Sequence, residues 1–277
     1  MKAKIGVGLR PTHYSYIQSH WPKEVDHFEV ISENYMFSRG RPVETLLKIR
    51  ERYPVLAHGV SMSIMSAEGV SSDYLQKLKD FYSLIEPQVT SDHLCWTGNA
   101  HSNIHDLLPF PFSKPFFDLA VSNISKVQDI LGRNMTFENL SAYIGFDDSQ
   151  YTEWDFLVQV CRASGAKLLL DLNNIWVNAT NFNFDPQVYI AAIPTDVIAQ
   201  IHLGGPTDTG KFLFDTHSTE VPEQVWALLK NNSDRFSGIP IIIERDDEIP
   251  EFPVLLREVH RAREILDKNQ GGKNASL

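Results

Sequence analysis

Short apolar runs recur along the chain, and amphipathic stretches separate most of them. In most runs nearly every position is apolar, which is typical of strands that are covered on both faces in a parallel sheet. We interpret eight runs as strands: Ile5–Leu9, Phe28–Ile31, Val55–His58, Val89–His93, Met135–Glu138, Lys167–Asp171, Val197–His202 and Ile239–Glu244.

The stretches between these runs have the spacing of helices that bury one face. Predicted helices cover residues 43–52, 72–86, 115–131, 153–163, 185–193, 221–231 and 252–267, whereas 94–113 reads as a long loop. Proline and glycine mark several ends, such as Pro115 at the start of one helix and Gly132 after its end.

Eight strands alternating with helices predict an α/β fold, a closed (β/α)8 TIM barrel, as a single domain over residues 1–267. Residues 268–277 are expected to form a disordered tail. A doubly wound open sheet is the competing architecture. A dinucleotide-binding turn is poorly supported, because Gly6-Val7-Gly8 lies inside the first strand rather than after it.

Composition narrows the classes of partner. The formal net charge of −10 argues against nucleic acid as the main partner, since an acidic chain repels phosphates. Two cysteines do not make a disulfide framework, and no apolar run has the length of a membrane span or a signal peptide. We therefore expect a cytoplasmic protein with no membrane partner.

Six of the apolar runs end on, or run directly into, a residue that can bind a metal: His58, His93, Glu138, Asp171, His202 and Glu244. The strand ends of a barrel converge on one face, so these side chains should meet there. Asp215 and His217 follow in the loop after the seventh strand. Any one of them could be a hydrogen-bonded core histidine or a helix cap, but the eight together predict a site.

Four carboxylates in one cavity would repel each other unless cations neutralise them. Nitrogen and oxygen donors without thiolate suit iron, manganese or zinc. Eight donors exceed what one ion needs, so two or three ions are expected, with Glu138 as the bridging carboxylate.

The strand ends and their flanks carry motifs that resemble the multinuclear non-haem iron-dependent oxidative enzymes over about residues 5 to 266. The matching segments are Gly6–Arg10 with His13-Tyr14, Glu33-Asn34-Tyr35, His58-Gly59-Val60, His93-Leu94-x-Trp96, Asp106–Pro109, Glu138-Asn139-x-Ser141-x-Tyr143, Leu169–Asp171 with Asn173-Asn174, Ile201–Leu203, Asp215–His217 and Ile243-Glu244.

The resemblance implies a TIM barrel with two or three iron ions and dioxygen as co-substrate. The implied reaction modifies cysteine residues of a ribosomally synthesised precursor peptide, which a separate partner protein often presents. Three iron sites are implied: one of Glu138, Asp171, His202 and Glu244, the catalytic set; one of His58 and His93 sharing Glu138; and one of Asn173, Asp215 and His217. Asn139, Asn174 and Arg10 are expected to hold these ligands in place.

The chain departs from the usual family pattern at three places, which we expect to line the mouth of the barrel. Asp92 replaces a glutamate, Gly204-Gly205-Pro206 replaces Ala-Gly-His, and Arg245 replaces a tryptophan. Alternative functions are a divalent-metal sugar isomerase, an abasic-site phosphodiesterase, and a non-catalytic iron-storage or scaffold role. An isomerase would want a lysine near the metals, and a nuclease would want a basic mouth.

Overall fold

The computed structural model describes residues 3–99 and 102–271, and its centre is a closed barrel of eight parallel strands. These strands are β1 (Ile5–Gly8), β2 (Phe28–Ile31), β3 (Val55–His58), β4 (Thr90–His93), β5 (Thr136–Glu138), β6 (Lys167–Asp171), β7 (Ile198–Leu203) and β8 (Ile241–Ile243). Each strand pairs with its neighbours in sequence, and β1 closes the barrel by pairing with β8, Ile5 opposite Ile241. The predicted TIM barrel is confirmed, and every predicted strand overlaps an observed one.

Helices cover the outside of the barrel. They are α1 (Tyr14–His20), α2 (Glu33–Met36), α3 (Arg41–Arg50), α4 (Ser72–Ile85), α5 (Lys114–Leu131), α6 (Glu153–Ser164), α7 (Leu172–Phe182), α8 (Pro186–Ala192), α9 (Glu223–Asn231), α10 (Ser233–Phe236) and α11 (Phe252–Gly271), with 3-10 turns at Pro11–His13 and Thr195–Val197. The seven predicted helices are present, and α1, α2, α7 and α10 were not predicted.

Helix α7 escaped prediction because no turn separates it from the strand before it. Asp171 ends β6 and is also the N-cap of α7, where its Oδ1 accepts a hydrogen bond of 2.7 Å from the backbone N–H of Asn174. Such a cap satisfies an N–H that the first helical turn leaves without a partner. A predicted end is confirmed at Gly132, which follows α5 in the left-handed conformation with φ +68°.

Side chains on the strands divide between two buried regions. Ile5, Val7 and Ile243 belong to the core between barrel and helices, whereas Leu56 and Ile242 are fully buried outside that cluster. Successive side chains of a strand point to opposite faces, so Leu56 and Ile242 fill the barrel interior. The residues two positions after them, His58 and Glu244, therefore face the same interior at its carboxyl end.

Two short antiparallel hairpins lie outside the barrel. One pairs Trp96–Asn99 with Ser102–Leu108, so the prediction of a loop over 94–113 was wrong for this part. Its strands contain few consecutive apolar residues, and the apolar-run pattern therefore did not detect them. The other pairs Thr207–Asp208 with Leu213–Phe214.

The C-terminal helix α11 continues to Gly271, past its predicted end at residue 267. Residues 272–277 of the expected tail lie outside the described residues. In the part of the chain that the structure describes, no helix combines the length and apolar character needed to cross a bilayer.

The space around two glycines of β1 predicts that alanine is tolerated less well at one of them than at the other. A Cβ atom on Gly6 would lie 2.4 Å from both the ring Cδ2 and the carbonyl oxygen of His27, whereas one on Gly8 would meet the Arg10 guanidinium at 3.4 Å. Gly6→Ala should lower the free energy of unfolding by about 1–3 kcal/mol, because backbone cannot move aside cheaply. Gly8→Ala is the matched control and should cost clearly less. Urea unfolding of the metal-free proteins measures both, and equal losses would contradict this account.

Candidate metal centre

Seven histidine and acidic side chains meet at the carboxyl end of the barrel and could hold metal ions. They form three overlapping groups, each with ligand atoms within 4.8 Å of one another: His58, His93 and Glu138; Glu138, Asp171 and His202; Asp171, His217 and Glu244. A cavity of about 400 Å³ opens above them. The structure thus brings all six strand-end residues together, with His217 reaching in from its loop.

Glu138 lies between the first two groups. Its Oε1 accepts a hydrogen bond of 3.2 Å from Asn174, while its buried Oε2 has no hydrogen-bond partner. That oxygen is 3.5 Å from Nε2 of His58 and 3.5 Å from Nε2 of His93. Donors about 2.0–2.2 Å from one ion have separations of this order. The donor set therefore fits a metal ion, and Glu138 belongs to two of the groups that could hold one.

The two histidines of the first group are poised as neutral donors. Burial lowers the pKa of His58 well below its usual value and lowers the pKa of His93 to about 4. Nδ1 of His58 lies 2.9 Å from the Ser91 hydroxyl, which leaves Nε2 facing Glu138. A neutral imidazole with a free lone pair is the form that binds metals.

His217 links the loop to the barrel. Its Nδ1 is 2.8 Å from Asp215 Oδ1, and its Nε2 is 3.0 Å from Asp171 Oδ2 and 3.6 Å from Glu244 Oε2. Asn173 donates a hydrogen bond of 2.9 Å to Asp215 Oδ1, and its own buried Oδ1 has no partner. The three residues that the resemblance assigns to a third iron are therefore adjacent, and their binding of an ion remains a prediction.

Without a bound metal ion, protonated histidines offset the negative charge of the clustered carboxylates. Burial opposes charge on His202 and His217, but the nearby carboxylates outweigh it and raise the pKa of both well above the usual value. Glu244 shows the converse: burial favours its neutral form, yet these two histidines hold its pKa well below the usual range. A metal ion entering this group must displace protons.

Glu29 is a buried residue of this site that the sequence analysis missed. Its Oε1 lies 3.0 Å from Nε2 of His202, and the two residues also form a possible metal-binding group with Glu244. Glu29 lies in the middle of β2 rather than at its end, so a search for strand-end ligands passed over it. The available signal was a carboxylate inside an otherwise apolar strand.

The expected supporting residues are only partly confirmed. Asn139 exchanges two hydrogen bonds with the backbone of Asp171, at 2.8 and 3.1 Å, and Asn174 holds Glu138 as described above. Within the part of the chain that the structure describes, Arg10 forms no hydrogen bond or ion pair with the candidate metal-binding residues. It donates to the carbonyl oxygen of Arg245 and pairs with Asp246, which lines the cavity.

The expectation that the altered residues line the mouth was wrong at two positions. Asp92 is 1% exposed and accepts hydrogen bonds from backbone N–H groups at 2.8 and 3.3 Å, below the cavity. Arg245 is 3% exposed and forms an ion pair of 2.8 Å with Glu258. At Gly204, a Cβ atom would lie 1.8 Å from Cδ2 of His217, so glycine leaves the room that this imidazole occupies.

A family model described as "RiPP precursor modification enzyme MbnB/TglH/ChrH" matches residues 4–267. A UPF0276 protein of Caulobacter vibrioides (strain NA1000 / CB15N) is 47% identical over 259 residues, covering 93% of this chain and 92% of the relative. A UPF0276 protein of Rhizorhabdus wittichii is 45% identical over 265 residues, covering 95% of each chain. The resemblance inferred from the motifs is confirmed by the family match.

Solved structures with the same barrel are far more distant in sequence. An L-ribulose 3-epimerase superposes with a TM-score of 0.64 at 11% identity, covering 99% of this chain and 98% of its own. A D-psicose 3-epimerase of Clostridium cellulolyticum H10, crystallised with D-tagatose, gives 0.59 at 11% identity and 98% coverage of each chain. At such identities the likeness shows the fold alone.

The protonated histidines predict that metal binding releases protons and weakens as the pH falls. Because the pKa values of His202 and His217 are raised, both rings stay protonated at neutral pH, and lower pH makes each proton harder to displace. Calorimetric titration of the metal-free protein with Zn²⁺, in two buffers of different ionisation enthalpy, counts the released protons. Binding with no proton release at neutral pH would contradict the assignment.

The close approach of the His217 ring to Gly204 predicts that a side chain at position 204 removes His217 from the group of possible metal donors. Gly204→Ala should push the His217 ring out of the cluster and lower the bound metal per chain, with little effect on the His58 and His93 group. Gly145→Ala is the control, since its Cβ would make an ordinary contact of 3.8 Å with Phe182. Metal analysis after anaerobic loading compares the two, and unchanged content in Gly204→Ala would refute the role given to this glycine.

Proposed function

The chain belongs to the RiPP precursor modification enzyme family MbnB/TglH/ChrH, and we propose that it oxidises cysteine residues of a ribosomally synthesised precursor peptide. Two or three iron ions are the proposed cofactor, and dioxygen is the proposed co-substrate. The observation that carries this proposal is the set of overlapping donor groups around Glu138, buried at the floor of an open cavity.

The donor chemistry supports iron. Imidazole and carboxylate donors without thiolate suit iron, and Cys95 and Cys161 are both buried away from the cavity lining. Iron bound here would supply the redox chemistry with dioxygen. The described residues form four overlapping groups that could hold metal ions, and the proposal of two or three ions uses part of them; manganese or zinc would accept the same donors.

The protein's own residues would organise the reaction. We assign Glu138, Asp171, His202 and Glu244 as the catalytic ligand set, with His58 and His93 as the neutral donors that share Glu138. The carboxylates neutralise the bound cations, and short barrel strands hold their side chains in fixed positions. Asn139 and Asn174 restrict Asp171 and Glu138 through the hydrogen bonds described above.

A second cavity supports a peptide substrate. It has about 270 Å³, is mostly apolar, and shares Glu138 as a wall with the metal-binding cavity. Asn178 shapes it by accepting from the backbone N–H of Ala142 at 2.7 Å and donating to the carbonyl oxygen of Leu140 at 2.8 Å. We assign this cavity to an apolar side chain of the peptide, next to the reacting cysteine.

An exposed aromatic cluster beside the site is the proposed contact for a peptide-presenting partner protein. Tyr143 stacks on Phe214 with ring centroids 5.0 Å apart and meets Phe212 at 5.8 Å, and each ring is more than 40% exposed. The Tyr143 hydroxyl accepts from the backbone N–H of Asp215 at 2.9 Å. A partner that covers the cluster would therefore lie directly beside the metal-binding loop.

The sugar epimerase barrel suggests a second activity, isomerisation with a divalent metal. The described residues lining the metal-binding cavity include no lysine, which such chemistry would want near the metals. Its lining is acidic, with Asp106, Glu138, Asp215, Glu244 and Asp246, and an acidic mouth disfavours the phosphodiester substrate of a nuclease. Peptide oxidation is therefore the better-supported proposal.

The proposal predicts a mass change in the peptide that depends on Glu138. The protein is loaded with Fe²⁺ without oxygen, then exposed to air with the cysteine-containing peptide encoded beside its gene and the presenting partner. Glu138→Gln should abolish the mass change because it removes the shared carboxylate. Glu223→Gln, on the outer surface, should not. An unmodified peptide with the loaded wild-type protein would reject the oxidase function, and product from Glu138→Gln would reject the assigned role.

Filling the apolar cavity should weaken peptide use without removing the metal. Ala142→Trp is expected to raise KM for the peptide more than it lowers kcat, because binding rather than chemistry loses contacts. Ala227→Trp, exposed on α9, is the control. Steady-state kinetics with metal analysis checks both, and an unchanged KM in Ala142→Trp would remove the cavity from the substrate site.

A further inference from the structure

Glu29 makes a contact that crosses the interior of the barrel. It lies on β2, whereas His202 lies on β7, and strands β1 and β8 separate the two in the barrel. On β1, the register partner of Glu29 is Gly8. The carboxylate thus reaches His202 from beneath the cluster.

Both oxygens of this carboxylate are used. Oε1 lies 3.0 Å from Nε2 of His202, and Oε2 accepts a hydrogen bond from the side-chain amide of Gln200. Gln200 precedes His202 by two positions on the same strand, so the two side chains share a face. The Gln200 amide nitrogen, which can only donate, is also 2.8 Å from Nε2 of His202 and competes with Glu29 for that nitrogen. The negative charge of Glu29 makes its contact the stronger one and favours Nε2–H. Glu29 is therefore an acceptor with fixed partners rather than a carboxylate with a free donor atom.

Packing does not explain a charge at this position. Glu29 is 4% exposed, and the ion-pair partner that the described part of the chain provides for it is His202. A buried carboxylate costs free energy that an apolar side chain of similar size would avoid. Its effect on His202 is the explanation that remains.

The opposite nitrogen of His202 faces the cluster. Nδ1 lies 2.7 Å from Glu244 Oε2, and Glu244 is itself one of the candidate metal-binding residues of the cluster. A carboxylate behind a metal-binding histidine commonly accepts the N–H of the remote nitrogen and fixes which nitrogen binds.

We infer that Glu29 is a positioning residue, which holds the Nε2–H of His202 and presents Nδ1 to the metal. This inference rests on the proposed metal-binding function. Gln200 completes the arrangement by fixing the second oxygen of Glu29. The buried negative charge also makes the imidazole a stronger donor and helps to offset the charge of the bound cation.

The test uses metal binding, so it does not depend on turnover. Glu29→Gln should weaken the apparent affinity for Zn²⁺ and for Fe²⁺ under anaerobic conditions by about 10- to 100-fold, with the number of ions bound unchanged. Glu153→Gln is the control: its carboxylate, on α6, accepts from Asn178 rather than from a metal-binding residue. Thermal unfolding of the metal-free proteins checks that a loss of metal affinity does not come from misfolding.

A spectroscopic measurement tests the choice of nitrogen directly. In Zn²⁺-loaded protein with ¹⁵N-labelled histidine, the shifts of His202 should show Nδ1 bound and Nε2 protonated. Zinc on Nε2, or wild-type affinity in a folded Glu29→Gln variant, would overturn the inference. One fewer ion bound in Glu29→Gln would instead make Glu29 a ligand, which also overturns it. A wild-type protein that binds no divalent ion would refute the proposed function. A wild-type protein that binds ions, with the same affinity in Glu29→Gln, would refute the inference alone, so the two failures are distinguishable.

Discussion

The repulsion among buried carboxylates governs this structure. Glu138, Asp171 and Glu244 are each at most 6% exposed. Asp171 shares one possible metal-binding group with Glu138 and another with Glu244. Carboxylates in such a place must be neutralised, because the interior does not screen their charges as water does. The metal-free site does this with protons: burial raises the pKa of Glu138 and so favours its neutral form, while nearby carboxylates raise the pKa of His202 and His217 and favour their charged forms. Metal ions would do the same with fixed geometry, and the proposed chemistry depends on that exchange.

The barrel makes this costly arrangement possible. Parallel strands end on one face, and their close pairing holds each side chain where a flexible loop could not. His93 and Glu138 are register partners on neighbouring strands, as are Asp171 and His202. Strand pairing therefore places four of the seven candidate metal-binding residues. His58 lies at the end of its own strand, Glu244 directly follows its strand, and His217 comes from a loop, where it has a left-handed backbone with φ +45° and a ring packed over Gly204.

Family and fold carry different information about function. Sugar epimerases that are only 11% identical to this chain have the same barrel, so the architecture alone does not select a reaction. The family match spans residues 4–267, which include every strand of the barrel and the candidate metal-binding residues at the strand ends. The apolar cavity shares Glu138 with the other cavity, and we propose that it takes a side chain of the peptide beside the reacting centre. These features support peptide modification over an activity on a small polar sugar.

The sequence by itself determined the barrel, because strands buried on both faces appear as unbroken apolar runs, and a polar residue at the end of such a run stands out. Those same ends identified His58, His93, Glu138, Asp171, His202 and Glu244 as one set. The sequence also assigned Asp215 and His217 to the site, but only the tertiary structure decided how residues from elsewhere reach it. Glu29 contacts His202 across the barrel, Asp92 and Arg245 turn away from the mouth, and His217 enters over Gly204. Local patterns record how a segment is buried, whereas contacts between distant strands depend on closure of the barrel, which no single segment encodes.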